Sequence, residues 1–233
     1  MKKALVLIAF MLPSLPALAG RPLGTDDAGT VGDKQCQFEA WRERSHDSRG
    51  WVASPACGLG EFELGVEFGW NKLPEAQKEN SQTLALKWAP EIFKFGPVGL
   101  GAKAWTGRSK LSPAGEDEHD GWQASENGAL ALASWDIGAG FNAHANLGTA
   151  RDRIAHQSAR LANLALTYTP HERVLFFVEA QNTQRAGTTQ ATGLRLWAIP
   201  EKLGIDFTAS RVAGAQDSRA FSIGFGWYGI LGD

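Results

Sequence analysis

GEFELGVEFGW, residues 60–70, alternates without a break. Phe62, Leu64, Val66, Phe68 and Trp70 are apolar, and Glu61, Glu63, Gly65, Glu67 and Gly69 between them are acidic or bare. In an extended strand successive side chains point to opposite faces, so this stretch carries one greasy face and one with three carboxylates. What fold places each face in a suitable medium is the question the rest of the sequence answers.

The same period of two recurs along the chain. Leu84, Leu86 and Trp88 alternate with polar or small residues, as do Phe141, Ala143, Ala145 and Leu147, then Leu203, Ile205, Phe207 and Ala209, then Phe221, Ile223, Phe225 and Trp227. No amphipathic helical pattern of useful length competes. The alternation predicts about twelve strands, at 34–45, 50–57, 60–72, 81–89, 97–106, 124–135, 138–149, 160–169, 174–183, 188–199, 203–211 and 219–229. The second is the weakest, because Pro55 cannot donate to a ladder.

The links fall into two alternating classes. Those at 58–59, 90–96, 136–137, 170–173 and 200–202 are mostly short. Those at 73–80, 107–123, 150–159 and 212–218 are longer and more polar, with 46–49 and 184–187 as short members of that set. Sided loops, an even strand count and strands of roughly ten residues are the pattern of an antiparallel up-and-down transmembrane β-barrel. Aromatics near strand ends (Trp70, Trp88, Tyr168, Trp227) suit the rims of an apolar band. A soluble barrel with the apolar face inward has the same periodicity and is the competing arrangement. With the apolar face toward lipid, the polar face lines the interior: Glu61, Glu63, Glu67, Lys87, Lys103, Glu126, His144, Glu179, Arg195 and Asp206 are the expected lumen-lining residues. A lipid-facing Lys or Arg at the midplane would cost roughly 2–4 kcal/mol.

Lys2 and Lys3 precede an apolar run from Ala4 to Leu12, and Ala17-Leu18-Ala19 gives a small-x-small cleavage pattern. Residues 1–19 therefore read as a signal peptide for export, 20–33 as an N-terminal periplasmic or plug segment, and 34–233 as the barrel. Cys36 and Cys57 flank a predicted hairpin, and an exported chain with one possible pairing is expected to join them in a disulfide; two buried free thiols are the alternative. A net charge of −2 and a pI near 6.2 offer no basic footprint for nucleic acid.

The segment ahead of the first strand holds Arg21-Pro22, Thr25-Asp26-Asp27-Ala28-Gly29-Thr30 and, as the strand begins, Phe38-Glu39. These elements resemble the start of the mature chain in an outer-membrane family labelled for the "MetA pathway of phenol degradation". The resemblance covers about twenty residues closely. It implies an outer-membrane barrel and a channel role for small organic molecules, with no catalytic residues to carry over. The Cys pair and the ending Trp227-Tyr228-Gly229-Ile230-Leu231-Gly232-Asp233 depart from that pattern.

Asp26-Asp27 could seed a cation site, but further oxygen ligands in register are not recognisable; a solvated turn or an inward-tucked plug are the other readings. Glu116-Asp117-Glu118-His119-Asp120 reads as an exposed acidic loop able to attract divalent cations. Of His46, His119, His144, His156 and His171, His144 alone lies in a strand, on the inward face, where a lipid hydrolase would need it outward. No phosphate loop, zinc spacing or nucleophile elbow occurs, and no cofactor or metal is expected. The expected function is a channel or facilitator for small molecules, hydrophobic or aromatic ones included, in the outer membrane. Its partners are outer-membrane lipid, small organic solutes and the barrel-assembly machinery. A lipid-modifying hydrolase and a structural or adhesin-like barrel acting through its loops are the alternatives.

Overall fold

A computed structural model describes residues 22–74, 77–112 and 121–231; the expected signal peptide and the acidic loop with His119 lie outside them. The strands are β1 (Cys36–Ser45), β2 (Arg49–Leu59), β3 (Phe62–Lys72), β4 (Lys78–Trp88), a two-residue β5 (Lys94–Phe95), β6 (Val98–Ser112), β7 (Gln123–Gly138), β8 (Phe141–Asp152), β9 (Gln157–His171), β10 (Val174–Thr183), β11 (Gly187–Ile199), β12 (Leu203–Val212) and β13 (Ala220–Ile230). Neighbours in sequence pair antiparallel. β4 bypasses β5 to pair with β6, and β13 returns to β1, so twelve long strands close into an up-and-down barrel. Closure leaves no unpaired sheet edge, which lipid could not satisfy.

Pro55 does not break β2. The ladder to β3 omits Ser54 and Pro55, but Ala53 still faces Phe68 and Ala56 faces Gly65, so the register carries through. β6 to β9 run longer than the alternation predicted: β6 continues to Ser112, β7 opens at Gln123, β8 reaches Asp152 and β9 opens at Gln157. The added turns of ladder carry outward polar residues such as Arg108, Lys110, Arg151 and Arg160, which an apolar count cannot follow. The link predicted at 150–159 shrinks accordingly to 153–156.

The apolar face is outside. Leu64, Leu84, Leu147, Leu164, Val178, Phe207, Ile223 and Phe225 are exposed, whereas the alternate positions Lys87, His144, Asn146, Glu179, Arg195 and Asp206 are buried within the barrel. A continuous apolar outer wall of this extent has no stable exposure to water and is matched by hydrocarbon. Among the described residues no helix is long and apolar enough to cross a membrane. Aromatic pairs mark the short-turn end: Phe62 stacks on Trp88 and Phe141 on Tyr168, with ring centroids 6.2 and 4.3 Å apart. Trp51 and Trp70, opposite each other on β2 and β3, mark the long-loop end. From Phe62 to Trp70 is about 27 Å of strand, which after tilt matches an apolar band.

From the Trp51–Trp70 level upward the outward positions turn basic: Arg42, opposite Trp51, and Arg44, Arg49, Lys72, Arg108 and Arg211 are all exposed. Among the described strand residues no carboxylate takes an outward position at that end.

Candidate functional site

Residues 22–33 do not hang below the barrel. They enter it and run across its interior as a strap, with Thr25, Asp27 and Ala28 buried. The inward side chains of six strands hold it. Glu179 on β10 accepts hydrogen bonds from the backbone N–H of Gly24 and Thr25 and from the Thr25 hydroxyl, at 2.9–3.1 Å. Asn146 on β8, fully buried, makes a two-way pair with Asp26: its Oδ1 accepts from the Asp26 N–H at 2.9 Å, and its Nδ2 donates to the Asp26 carbonyl at 2.7 Å. Ser134 on β7 accepts from the Ala28 N–H, and Glu63 on β3 from the Val31 N–H.

Two lysines hold the carboxylates. Lys87 on β4 donates to Asp27 at 2.8 Å and lies 3.9 Å from Asp26, while Lys103 on β6 donates to both oxygens of Asp26 at 2.8 and 3.0 Å. The cation-site reading of Asp26-Asp27 therefore gives way to lysine pairing, and among the described residues no cluster of metal-ligating side chains occurs. Beside Lys103, Ala28 packs on Leu130 and Leu132, with Trp105 and Leu161 next to them.

Where the strap leaves the lumen, Lys34 donates to the Gly58 carbonyl and Gly58 to that of Gln35. A Cβ at Gly58 would sit 1.8 Å from the Gly32 carbonyl oxygen, so the strap's exit requires glycine there. The Cys36–Cys57 disulfide, across the β1–β2 ladder, pins the next residues. The downstream end of the strap is thus fixed to the barrel wall.

The opposite wall fills itself. Arg195 on β11 binds Asp206 on β12 in a two-point pair at 2.6 and 2.8 Å, with Glu39 on β1 at 4.0 Å. Its guanidinium lies over Trp197 and Tyr228 at 4.8 and 5.0 Å, and the Tyr228 hydroxyl donates to Glu39. A Cβ at Gly226 would come within 2.3 Å of that hydroxyl, so the ring can lie flat only over glycine. The cluster and strap residues 28–33 lie toward the short-turn end, and the strap rises across the interior to Glu179 and Gln181 on the long-loop side of β10.

The remaining expected lumen residues fall at two levels. Glu67 faces inward opposite Thr83. Glu126 is inward and exposed on β7, in the long-loop half, where Glu43 and Glu79 also take inward positions. Glu61 sits instead in the exposed β2–β3 turn, its carboxylate accepting from the Glu91 N–H. No inward Lys or Arg among the described strand residues lies above Lys103, so the long-loop half forms an acidic vestibule. His144 Nδ1 lies 2.8 Å from the Ser134 hydroxyl. This hydroxyl–imidazole pair is inside the barrel beneath Ala28, away from the lipid-facing wall on which a lipid hydrolase would work.

Burial raises the Asp26 carboxyl, but the neighbouring Lys103 and Lys87 reverse this and hold it below its ordinary 3.8. A carboxylate depressed in the docked state stabilises docking fully above 3.8, and that contribution is lost as pH falls through the depressed value. The Asp26 and Ala28 amides, held by the neutral side chains of Asn146 and Ser134, are therefore expected to stay protected in hydrogen exchange, corrected for intrinsic rates, from neutral pH down to 3.8. Deprotection near neutrality would place the latch on another group.

Neither a family model nor any curated protein matches the chain. Solved structures do. The KdgM porin aligns with a TM-score of 0.60 at 10% identity, covering 82% of this chain and 98% of its own; it is also known in complex with disordered oligogalacturonate. The NanC porin aligns at 0.55 and 10%, over 82% and 98%. The translocator domain of the autotransporter NalP from Neisseria meningitidis aligns at 0.53 and 15%, over 83% and 87%. These likenesses establish the barrel architecture, which serves porins and a translocator domain alike.

Proposed function

We propose that the protein is an outer-membrane channel for small neutral or cationic organic solutes, held shut by its own N-terminal strap. The observation that carries this reading is the strap's attachment. It is held inside a closed barrel by hydrogen bonds and two lysine–carboxylate latches, with no covalent bond inside the lumen, so it can leave and leave a passage. The expected export signal, the apolar outer wall and the porin-like architecture support an outer-membrane location, with the barrel-assembly machinery as the proposed partner in reaching it. The resemblance of the strap residues to the phenol-degradation family supports small organic cargo.

Charge sets the preference. The vestibule carries Glu43, Glu79 and Glu126, so a polyanion of the oligogalacturonate kind meets repulsion at the mouth, and cations and neutral molecules do not. The test is the reversal potential in planar bilayers under a salt gradient. Openings are expected to prefer cations, and Glu43→Gln/Glu79→Gln/Glu126→Gln with Asp152→Asn, the inward carboxylate opposite Glu126, is expected to remove most of that preference. Anion preference in the unaltered protein overturns the assignment of cargo charge. Silence of a folded barrel whose strap has been released overturns the channel itself.

A further inference from the structure

The basic outward positions at the long-loop end are not evenly furnished with surroundings. On the wall built by β9 to β13 and β1, two apolar grooves of about 640 and 490 Å³ run down the lipid-facing surface. Their shared floor is Thr192 and Ala209, small residues between the larger Leu164, Val178 and Leu194, and both end against Phe221. Directly above Phe221 a third, polar recess of about 680 Å³ is lined by Arg44, Arg211 and Arg219, with His46 and Ser45 beside them. Arg42 stands at the edge of the second groove, over the Trp51 ring. Asp217 is the recess's one lining carboxylate among the described residues. No carboxylate among the described residues lies within ion-pair distance of Arg42, Arg44, Arg211 or Arg219; Arg211 instead holds the neutral amide of Gln190 at 3.1 and 3.2 Å.

Two greasy channels converging on a cationic recess describe the negative image of one kind of molecule. We infer that this wall is a binding site for a phosphorylated, multi-acyl lipid of the leaflet that the long loops face. The acyl chains lie over Thr192 and Ala209, and a phosphate sits among Arg44, Arg211 and Arg219. Guanidinium groups match phosphate oxygens two at a time, which a lysine cannot do. The choice of lipid over free phosphate rests on continuity: the recess opens into the grooves and the grooves into the hydrocarbon-facing wall, so the ligand arrives from the membrane. Burial of the chains and the charge attraction then act together, each basic group near an anionic lipid surface being worth roughly fivefold in affinity. The inference does not depend on the channel reading, since the site is outside the barrel.

The test uses the full exported chain, folded in detergent, and native mass spectrometry with a bis-phosphorylated multi-acyl disaccharide lipid. One tightly held lipid per barrel is expected. Arg44→Gln/Arg211→Gln/Arg219→Gln is expected to weaken it at least tenfold, as is removal of the lipid's phosphates. Inorganic phosphate alone is expected not to compete. Lys72→Gln/Lys78→Gln, elsewhere on the same rim, is expected to leave binding unchanged. Should the triple variant fail to fold, Ala209→Trp fills the groove and is expected to expel the lipid with the arginines intact. Equal binding of the dephosphorylated lipid, equal loss in the Lys72/Lys78 variant, or retention by Ala209→Trp each overturns the site, and competition by free phosphate overturns the lipid as its ligand.

Discussion

A barrel carrying Asp26→Asn and Asp27→Asn is expected to be open for about a hundredfold more of the time than the unaltered protein in planar bilayers. The magnitude follows from Lys87, which is only 3% exposed with the strap in place. Removing the carboxylate partner of a buried cation costs about 3–5 kcal/mol, and each 1.4 kcal/mol is a factor of ten in an equilibrium. That cost applies only while the strap is docked. Once it leaves, Lys87 gains water and faces Glu63 directly across the β3–β4 ladder. Glu63 is itself freed by undocking, since its carboxylate holds the Val31 N–H in the closed state. The lysine thus has a second partner waiting, which makes docking a two-state choice rather than a fixed feature of the core. Asp27→Asn alone is expected to give most of the effect. Asp26→Asn gives less, because its main partner Lys103 is 28% exposed and can hydrate where it stands. Exchanging the pair, Asp27→Lys with Lys87→Asp, is expected to restore closure, the behaviour of a direct contact in a double-mutant cycle. Unchanged opening in folded Asp26→Asn/Asp27→Asn would show that the strap is not the barrier.

The barrel was legible in the sequence because its cause is local. Most strands state their own facing through alternation, so GEFELGVEFGW already contains the rule for β3 and for β13; Val174–Val178 is apolar on both faces, and only pairing with β9 and β11 sets the facing of β10. Strand ends were less legible: once the outward residues become Arg and Lys, as on β6 and β9, the apolar signal stops while the ladder continues. The Arg195–Asp206 contact needs only the β11–β12 register, and both residues were among those expected inside. The Glu39–Tyr228 bond joins residues 189 apart in sequence, and nothing local announces it. The strap is the clearest case. Thr25-Asp26-Asp27-Ala28 reads equally as a solvated turn, and only the closed barrel brings Lys87, Lys103, Asn146 and Glu179 around it. Asn146 and Ser134 carried no sequence signal, since an inward Asn or Ser is common in any lumen.

The opposite wall yields the second large effect, on stability. Asp206→Ala is expected to destabilise the folded barrel by about 3–5 kcal/mol, the usual result of stranding one member of a buried ion pair. Arg195 and Asp206 are 2% and 1% exposed, and the guanidinium lies against the Trp197 and Tyr228 rings, which meet edge to face beside it. Glu39, at 4.0 Å and already bonded by Tyr228, offers only partial compensation. Urea unfolding of the protein in lipid vesicles reads the change as a lower midpoint at unchanged slope. Replacing both partners, Arg195→Met with Asp206→Leu, is expected to recover most of the loss, because well-packed apolar groups carry no desolvation penalty. That recovery separates two explanations of why a barrel would fill half its interior with charge. If the double variant is as stable as the original but conducts with the strap still docked, the pair serves to seal the passage. If it is stable and silent, rings and aliphatic side chains seal as well as charges do. A single Asp206→Ala variant with unaltered stability would instead mean that water reaches Arg195 and that this half of the lumen is not closed at all.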